Sequence, residues 1–343
     1  MIRDQAGDTL SIASINLILF AARQQGVDTD TLARRVGITP EQLRDPDGRV
    51  LIRQVQALWR EIVMTTGDST IALKLGEIVN PVAIGVLAYV MMHSPTLGRA
   101  FDKLCQYQDI VCEGVVTSGQ LTPSGNQFVL SLRIVSHDII YPEHTLNSEL
   151  SIYLSAMRAL SGLQITADEI RFAYPRPADI REHERVFAPA KLTFDADVTA
   201  MVFDAALLDL PVLNASPALS ILFEKHATEI LARLKAPSLS SRVRSEIVAI
   251  MKGEEPTLAI VADRMAMGIR TLQLHLKEAG TSYQQLLDET RKELALSHLR
   301  EPNLSTTDIA YLLGFAEPSV FFRSFKKWTG QTPGAFRLAH AQA

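Results

Sequence analysis

The chain has 343 residues, of which 47% are hydrophobic and 21% charged, and its formal net charge is −4. The length exceeds that of a usual single core and predicts two domains, and the composition is typical of a globular protein rather than a disordered or fibrous one. The longest apolar stretches, residues 12–22 and 82–92, are shorter than the roughly 18–20 residues that a membrane-spanning helix needs.

Two features of the sequence predict a cytoplasmic location. The N-terminus carries Asp4 and Asp8 and lacks the basic stretch and apolar run of an export signal. Cys105 and Cys112 are the only cysteines and do not form a CxxC pair, so we expect buried thiols in a reducing compartment.

The charge divides unevenly along the chain. Residues 1–234 hold 20 basic and 27 acidic side chains, a net charge of −7, whereas residues 235–343 hold 14 and 11, a net charge of +3. An acidic first part and a mildly basic second part indicate that only the second part meets a polyanion.

The first part mixes helical and strand periodicity. Apolar residues recur at three- and four-residue steps in the early segments, and the third helix is expected to have Ser94 as its N-cap and Pro95 at its first position. Two β-rich runs flank the turn cluster 122–126 and predict a hairpin. The predicted helices are 11–25, 51–66, 94–107 and 142–161, and the predicted strands are 111–118, 128–135, 169–174 and 201–203.

A change of pattern marks the domain boundary. Residues 210–217 contain two prolines, a helix is predicted over 218–234, and residues 235–238 interrupt it. After Pro237 only helical patterns follow. We therefore expect an α+β domain over residues 1–210, a linker and connecting helix over 211–239, and an all-helical domain over 240–343.

The helical tail contains two helix-turn-helix patterns. In the first, Thr257 is the expected N-cap of a short helix, Gly268 lies in the turn, and a second helix covers 269–279. The second pattern begins with Ser305 and Asp308 as a capping box. It continues with a short helix over 308–313, Gly314 in the turn, and a helix over 318–328 that Glu317 is expected to cap and Gly330 to end.

A longer helix is predicted between the two patterns. Ser282 and Gln285 form a Ser-x-x-Gln capping box, and the helix runs to about Arg300. Nineteen residues span roughly 28 Å, and adjacent major-groove faces of DNA lie about 34 Å apart. This helix is therefore long enough to hold two recognition helices about one DNA turn apart.

The second helix of each pattern separates inward from outward residues. Leu272 and Leu276 are the expected core pair of the first, and Phe321 and Phe325 that of the second. Arginine pairs with guanine edges and glutamine with adenine edges. An ordinary solvated basic face is the alternative for any one of these residues. The outward residues are Arg270, Gln273, Lys277, Ser319, Phe322, Arg323 and Lys326.

The tail resembles the DNA-binding domain of the AraC/XylS family over about a hundred residues. The resemblance implies base contacts from Arg270, Gln273, Ser319, Phe322 and Arg323, and Leu274, where many members carry Arg, would make an apolar contact such as one to a thymine methyl. The matching residues are Arg270-Thr271-Leu272-Gln273, Lys277-Glu278-Ala279-Gly280, Asp308-Ile309-Ala310, Gly314-Phe315-Ala316-Glu317-Pro318-Ser319, residues 321–328, Gly330-Gln331-Thr332-Pro333 and Phe336-Arg337.

The first part resembles the regulatory domain of the ornithine-utilisation-type branch of that family. This resemblance implies effector sensing or self-association, and hence a homodimer, without identifying the effector. The matching residues are Asn80-Pro81, Gly85-Val86-Leu87-Ala88-Tyr89, residues 94–100, residues 171–179, Phe187 and residues 192–195.

Catalytic and metal-binding patterns are absent from the sequence. His93, His137 and His183 are scattered, and there is no HExxH, GxSxG or phosphate-binding glycine loop. We therefore expect no enzyme, metal or cofactor. Tyr89, His144, Glu149 and Arg176 are candidate ligand-binding residues, although the two prolines around Arg176 favour a rigid turn with a solvated side chain.

These observations predict a cytoplasmic regulator that binds double-stranded promoter or operator DNA and responds to a small-molecule effector. If it is an activator, RNA polymerase is a further partner, and no membrane association is expected. Two alternatives stay open: an enzyme fused to a DNA-binding tail, and a DNA-associated protein without sequence preference.

Overall fold

The computed structural model describes residues 7–78, 85–236, 238–251, 254–301 and 304–340. Two compact units share the chain, one ending at Lys235 and the other beginning at Ala236. Asn80, Pro81 and Pro237, which the sequence interpretation used, lie outside the described residues, as do Pro302 and Asn303 after the predicted long helix.

The N-terminal unit is a mixture of helices and sheet, as predicted. Helices 12–24, 52–66 and 142–161 confirm three sequence predictions within one or two residues. The helices are α1 (Ile12–Gln24), α2 (Thr29–Arg35), α3 (Pro40–Arg44), α4 (Ile52–Thr66), α5 (Leu75–Ile78), α6 (Val86–Met92), α7 (Leu97–Tyr107), α8 (Pro142–Ser161), α9 (Arg181–Phe187) and α10 (Pro217–Lys235), with 3-10 turns at Ile71–Lys74, Gln108–Ile110 and Ala205–Asp209.

The sheet of this unit has five strands in the order β3-β4-β7-β5-β6. The predicted hairpin is confirmed as β3 and β4, with Val115 opposite Ile134. All pairs are antiparallel except β5 with β6, and a separate pair joins β1 to β2. The strands are β1 (Thr9–Ser11), β2 (Arg49–Leu51), β3 (Val115–Leu121), β4 (Gln127–Ile134), β5 (Glu169–Arg171), β6 (Lys191–Thr193) and β7 (Thr199–Asp204).

The predicted start of α7 was wrong. The helix begins at Leu97, and the Thr96 hydroxyl accepts the Arg99 amide as the N-cap. Ser94 instead donates its hydroxyl to the Val90 carbonyl at the end of α6. Since a serine hydroxyl satisfies a free helix carbonyl as readily as a free amide, the residue type alone did not identify which helix end it serves.

One core joins the helices to the sheet, with Trp59, Phe172 and Phe203 almost fully buried. Helix α10 packs on this core through Ala227 and carries an ion pair of 2.7 Å between Glu224 and Lys103 of α7. The segment from Pro217 to Lys235, placed between the domains in the sequence prediction, therefore packs as part of the N-terminal unit.

The described part of the C-terminal unit consists of helices. These are α11 (Leu239–Met251), α12 (Leu258–Arg264), α13 (Ile269–Glu278), α14 (Tyr283–Leu299), α15 (Thr306–Leu312), α16 (Pro318–Thr329) and α17 (Pro333–His340). Two separate cores divide the unit, and α14 contributes to both. Its first half supplies Leu286 and Leu287 to the core around α13, and its second half supplies Ala295 and Leu299 to the core around α16.

The helix caps of this unit agree only in part with those predicted from the sequence. The Thr257 cap and the reciprocal Ser305–Asp308 box are confirmed. At Ser282 the hydroxyl accepts the Gln285 amide, but Gln285 bonds that hydroxyl rather than the Ser282 amide, so the box is incomplete. Glu317 occupies the N-cap position without capping a backbone amide and instead accepts the Ser319 hydroxyl at 3.2 Å.

Candidate DNA-binding helices and ligand cavity

Helix α13 separates its two faces as the sequence predicted. Leu272 and Leu276 are fully buried in the first core, whereas Arg270, Gln273 and Lys277 are exposed. Leu274 is 55% exposed and leaves an apolar group on the outer face. The core pair therefore fixes the rotation of the helix and leaves polar, basic and apolar groups available to a ligand.

The turn before α13 has its left-handed residue at Ala266, with a φ of 52°, rather than at Gly268, which is extended and occupies the N-cap position. The Met267 amide closes the turn by donating to the Ala262 carbonyl at 2.9 Å. A short, hydrogen-bonded turn of this kind joins α12 to α13 as a helix-turn-helix.

Helix α16 repeats the arrangement in the second core. Phe321 and Phe325 are fully buried, and their rings contact each other at 5.8 Å between centroids. Ser319, Arg323 and Lys326 are exposed, and Phe322 is 37% exposed beside Phe321. The outer face again combines hydroxyl, cationic and apolar groups, as a base-reading helix requires.

Helix α14 attaches each half of the unit through an arginine. Arg244 of α11 forms ion pairs with Glu289 and Glu293 of α14. Arg291 of α14 is buried and donates to the carbonyls of Leu313 and Gly314 at 3.0 and 2.9 Å. Its guanidinium carbon also lies 4.2 Å from the centre of the Phe315 ring.

These Arg291 contacts satisfy carbonyls at the end of α15, which have no partner within the helix. Arg291 therefore couples the turn of the second helix-turn-helix to the connecting helix. With 17 residues, α14 is about 25 Å long, close to the length that the sequence predicted.

The N-terminal unit contains a predominantly apolar cavity. Its volume is about 100 Å³. A single water molecule needs a cavity of only about 10–15 Å³, so this cavity has room for a small organic molecule. Its walls come from α1, α4, α5, α6, α7, α8 and the start of β3.

Polar groups gather along one side of this cavity. Glu149 and Tyr153 lie one turn apart on α8 and share a side-chain hydrogen bond. The Tyr153 hydroxyl lies 3.1 Å from the Thr117 hydroxyl of β3. Gln108 donates to the Thr117 carbonyl at 3.2 Å and accepts the Thr117 amide. Three elements are thus joined where the carboxyl group lines the cavity.

Burial shifts the acid–base equilibria of this cluster. Desolvation raises the pKa of Glu149 above its ordinary value, against the opposing effect of the hydrogen bond from Tyr153. The pKa of Cys112, which also lines the cavity, is raised to about 12, first by burial and then by Glu149. Both groups are therefore driven toward their neutral forms in a cavity with little polar surface.

The four candidate ligand-binding residues do not form one site. Glu149 lines the cavity. Tyr89 stacks on Phe223 of α10 at 4.9 Å, and exposed Arg176 lies 5.5 Å from the centre of the Phe194 ring. His144 packs against Trp59 with ring centroids 5.6 Å apart, and its buried Nδ1 has no hydrogen-bond partner.

The sequence interpretation missed most of the cavity wall. Gln56, Trp59 and Thr117 line it, but nothing in their local sequence distinguishes them from core residues. Tyr153 could have been found, since it follows Glu149 by four residues on a predicted helix and must share its face.

No group of three or more metal-binding side chains occurs among the described residues. No helix within the described ranges has the length and apolar character to cross a membrane.

Comparison with known proteins identifies the class of protein. Residues 26–212 match the arabinose-binding domain of AraC transcription regulators, and residues 261–339 match a helix-turn-helix domain. The ornithine utilization regulator of Pseudomonas aeruginosa is 30% identical over 97% of both chains. The regulator VirS of Mycobacterium tuberculosis is 23% identical over 74% of both. The crystal structure of the transcriptional regulator CdpR from Pseudomonas aeruginosa aligns over 93% of this chain and 98% of its own, with 20% identity and a TM-score of 0.44.

The chain therefore belongs to the AraC family of DNA-binding transcription regulators, in the group with an arabinose-binding-type N-terminal domain. This confirms both resemblances that the sequence motifs carried.

Proposed function

We propose that α13 and α16 read DNA sequence together, each from the major groove and about one helical turn apart. The observation that carries the proposal is the pair of exposed polar faces on helices that α14 holds through both cores. Two small reading surfaces on one rigid connector select a longer site than either could alone.

The exposed residues have different tasks in this proposal. Arg270 and Arg323 donate to guanine, Gln273 pairs with adenine, and Leu274 contacts a thymine methyl. Lys277 and Lys326 contact phosphates, which makes the affinity depend on salt. Ser319 and Phe322 complete the face of α16 with a hydroxyl and an apolar contact.

The N-terminal cavity is the proposed effector site. A ligand that occupies it changes regulation only if it binds two arrangements of the protein with different affinity. The cavity walls include α8, β3 and four helices of the first hundred residues, so an occupant contacts much of the domain core.

We further propose that the protein acts in the cytoplasm without catalysing a reaction, and as a homodimer. RNA polymerase is its partner if it activates transcription. Exposed apolar side chains at the start of α10, with Ile221 72% and Leu222 58% exposed, support self-association. Sedimentation equilibrium of the full chain measures this directly, and a monomer at micromolar concentration would exclude the dimer.

The experiment that tests the main proposal is selection of bound duplexes from a random DNA pool with the full-length protein at near-physiological salt. An enriched site with two elements about one turn apart supports it. Equal binding of selected and scrambled duplexes would instead indicate a DNA-associated protein without sequence preference. Turnover of any small molecule by the N-terminal unit would support the enzymatic alternative.

A further inference from the structure

The cavity lining contains an acidic side chain and, among the described residues, no basic one. Among the described residues that line it, Glu149 is the sole side chain that carries a formal charge when ionised at neutral pH, and no lysine, arginine or histidine accompanies it. The other polar groups along that wall are hydroxyls, a thiol and two amides. The protein therefore places an acidic group in apolar surroundings without a counter-charge.

Arg49 and His144 are basic groups of the same unit that do not line the cavity. Arg49, which acts electrostatically on Cys112, donates to the Ile110 and Asp109 carbonyls and lies 3.6 Å from Glu113. His144, on the same helix as Glu149, packs on Trp59, and burial lowers its pKa so that it stays neutral at physiological pH. Neither group neutralises Glu149.

We propose that the cavity binds a small organic cation, with an ammonium group at Glu149 and an apolar body along Trp59 and Leu87. The proposal rests on the proposed role of the cavity as the effector site. An ammonium group supplies the missing charge and donates hydrogen bonds to the carboxylate. A carboxylate ligand would find no cation in the lining to pair with it, and a buried charge is costly unless it is paired.

The apolar walls make a second demand on the ligand. Leu87, Met91 and Leu104 line the cavity and offer no hydrogen bonds, so the part of the ligand that lies along these side chains must be hydrocarbon. The ligand class is thus an amine with a short aliphatic or aromatic tail.

Three probes with one tail test this directly: hexylammonium, hexanol and hexanoate. Binding to the full-length Trp328→Phe protein is followed by the fluorescence of Trp59, which lines the cavity, because the second tryptophan lies in the C-terminal unit. We expect hexylammonium to bind about tenfold or more tightly than hexanol, and hexanoate more weakly than either, because a hydrogen bond to a charged group is stronger than one between neutral groups.

Two variants separate the role of the carboxylate from that of the cavity. Glu149→Gln should abolish the preference for hexylammonium while leaving hexanol binding within about twofold. Glu143→Gln removes the same charge from the same helix outside the cavity lining and should retain the preference.

The outcomes distinguish the inference from the proposed function. Hexanol or hexanoate bound as tightly as hexylammonium would overturn the cation inference and leave the cavity as an effector site. Binding of none of the three would contradict both. If Glu149→Gln fails to fold, the order of the three probes on the parent protein still decides the matter.

Discussion

Arg323 and Lys326 lie on the same exposed face of α16 but differ in what they can recognise. Both side chains extend from a helix whose rotation Phe321 and Phe325 fix by complete burial. A guanidinium offers two parallel donors to a base edge, whereas an ammonium acts as a point charge suited to phosphate. Their removal should therefore affect affinity in two different ways.

We predict that Arg323→Ala weakens binding to the selected site by about 1–3 kcal/mol and reduces discrimination at one base position. Lys326→Ala should weaken binding to selected and scrambled duplexes alike. It should also lower the slope of log affinity against log salt concentration by about one. Fluorescence anisotropy titrations at several salt concentrations measure both effects.

Arg53→Ala is the matched control, since it removes one exposed positive charge from α4 in the N-terminal unit. It should leave affinity and salt slope unchanged. An Arg323→Ala protein with the parent's affinity and base preference would remove Arg323 from the reading face.

The buried Glu149 carboxyl predicts a pH dependence of stability. Burial raises its pKa in the folded state, so the folded protein binds more protons than the unfolded chain. Stability from this group is complete below the unfolded pKa, near 4.3, and is lost as pH rises through the folded pKa.

The measurement is the free energy of unfolding of the parent and of Glu149→Gln as a function of pH, compared as a difference so that other groups cancel. The amide cannot ionise, so the variant should gain stability relative to the parent as pH rises from about 5 to 9. A difference that stays constant over that range would contradict the buried, uncompensated carboxyl.

At the scale of elements, the C-terminal helices could be predicted because their ends are marked locally. Thr257, Ser305 and Gly330 identify helix ends through single hydrogen bonds or a left-handed φ, and each acts within four residues. The short strands β1, β2 and β6 were missed for the opposite reason. Three residues show no alternation, and their pairing partners lie up to 42 residues away.

The cavity could not be predicted either, because it also depends on residues that lie far apart in the sequence. Its lining draws on residues from Leu10 to Leu160, and a leucine that faces a cavity has the same local pattern as one that faces a neighbour. Glu149 was proposed together with Tyr89 and His144, although nothing in their spacing required a pocket. Of the four candidate residues, Glu149 lines the cavity, whereas Tyr89, His144 and Arg176 do not.

We predict that Arg291 stabilises the second helix-turn-helix. Replacing it with Met should destabilise α15 and α16 by about 2–3 kcal/mol, since two carbonyls at the end of α15 lose a charged donor. Hydrogen exchange followed by mass spectrometry should show faster exchange across residues 306–329, with α12 and α13 unaffected.

Lys292→Met is the control for Arg291. It removes a cation from the adjacent position of the same helix and should leave exchange unchanged. Equal protection in the two variants would mean that the Phe315 and Phe321 core holds the second helix-turn-helix without Arg291.

The contact between α5 and α8 depends on Gly76. A Cβ at this position would lie 2.2 Å from the Ser151 carbonyl oxygen, well inside contact distance. Both helices line the cavity, through Leu75 and Glu149. Gly76→Ala should therefore cost about 1–3 kcal/mol or more in stability by forcing the helices apart.

Thermal unfolding of the full chain measures this loss. Gly334→Ala, where a Cβ would meet no atom within 4 Å, provides the control and should not lower the melting temperature. An unchanged melting temperature in Gly76→Ala would show that α5 can shift without loss of packing.

At the scale of the whole molecule, the two units differ in both charge and chemistry. The N-terminal unit has an acidic balance and an apolar cavity, whereas the C-terminal unit has a basic balance and two exposed reading faces. In the proposed function, phosphate attraction concentrates on the helical unit, and effector binding on the other.

The length and rigidity of the connecting helix predict how far apart the two bound DNA elements lie. Helix α14 contributes residues to both cores, so α13 and α16 are fixed to one rigid element about 25 Å long. Two faces held in this way must meet DNA at a set separation and on a set side of the duplex.

Inserting five base pairs between the two elements of the selected site rotates one of them by about half a turn and places it on the opposite side of the duplex. We expect affinity to fall to that of a duplex that retains one element, a loss equal to deleting the other. Inserting ten base pairs returns the second element to the original side of the duplex but not to the original separation. It should therefore not rescue binding by the C-terminal unit of one protomer.

Anisotropy titrations of the parent, five-insert, ten-insert and single-element duplexes provide the comparison. Full affinity for the five-insert duplex would mean that α14 does not hold the two helices rigidly and that each binds its element alone.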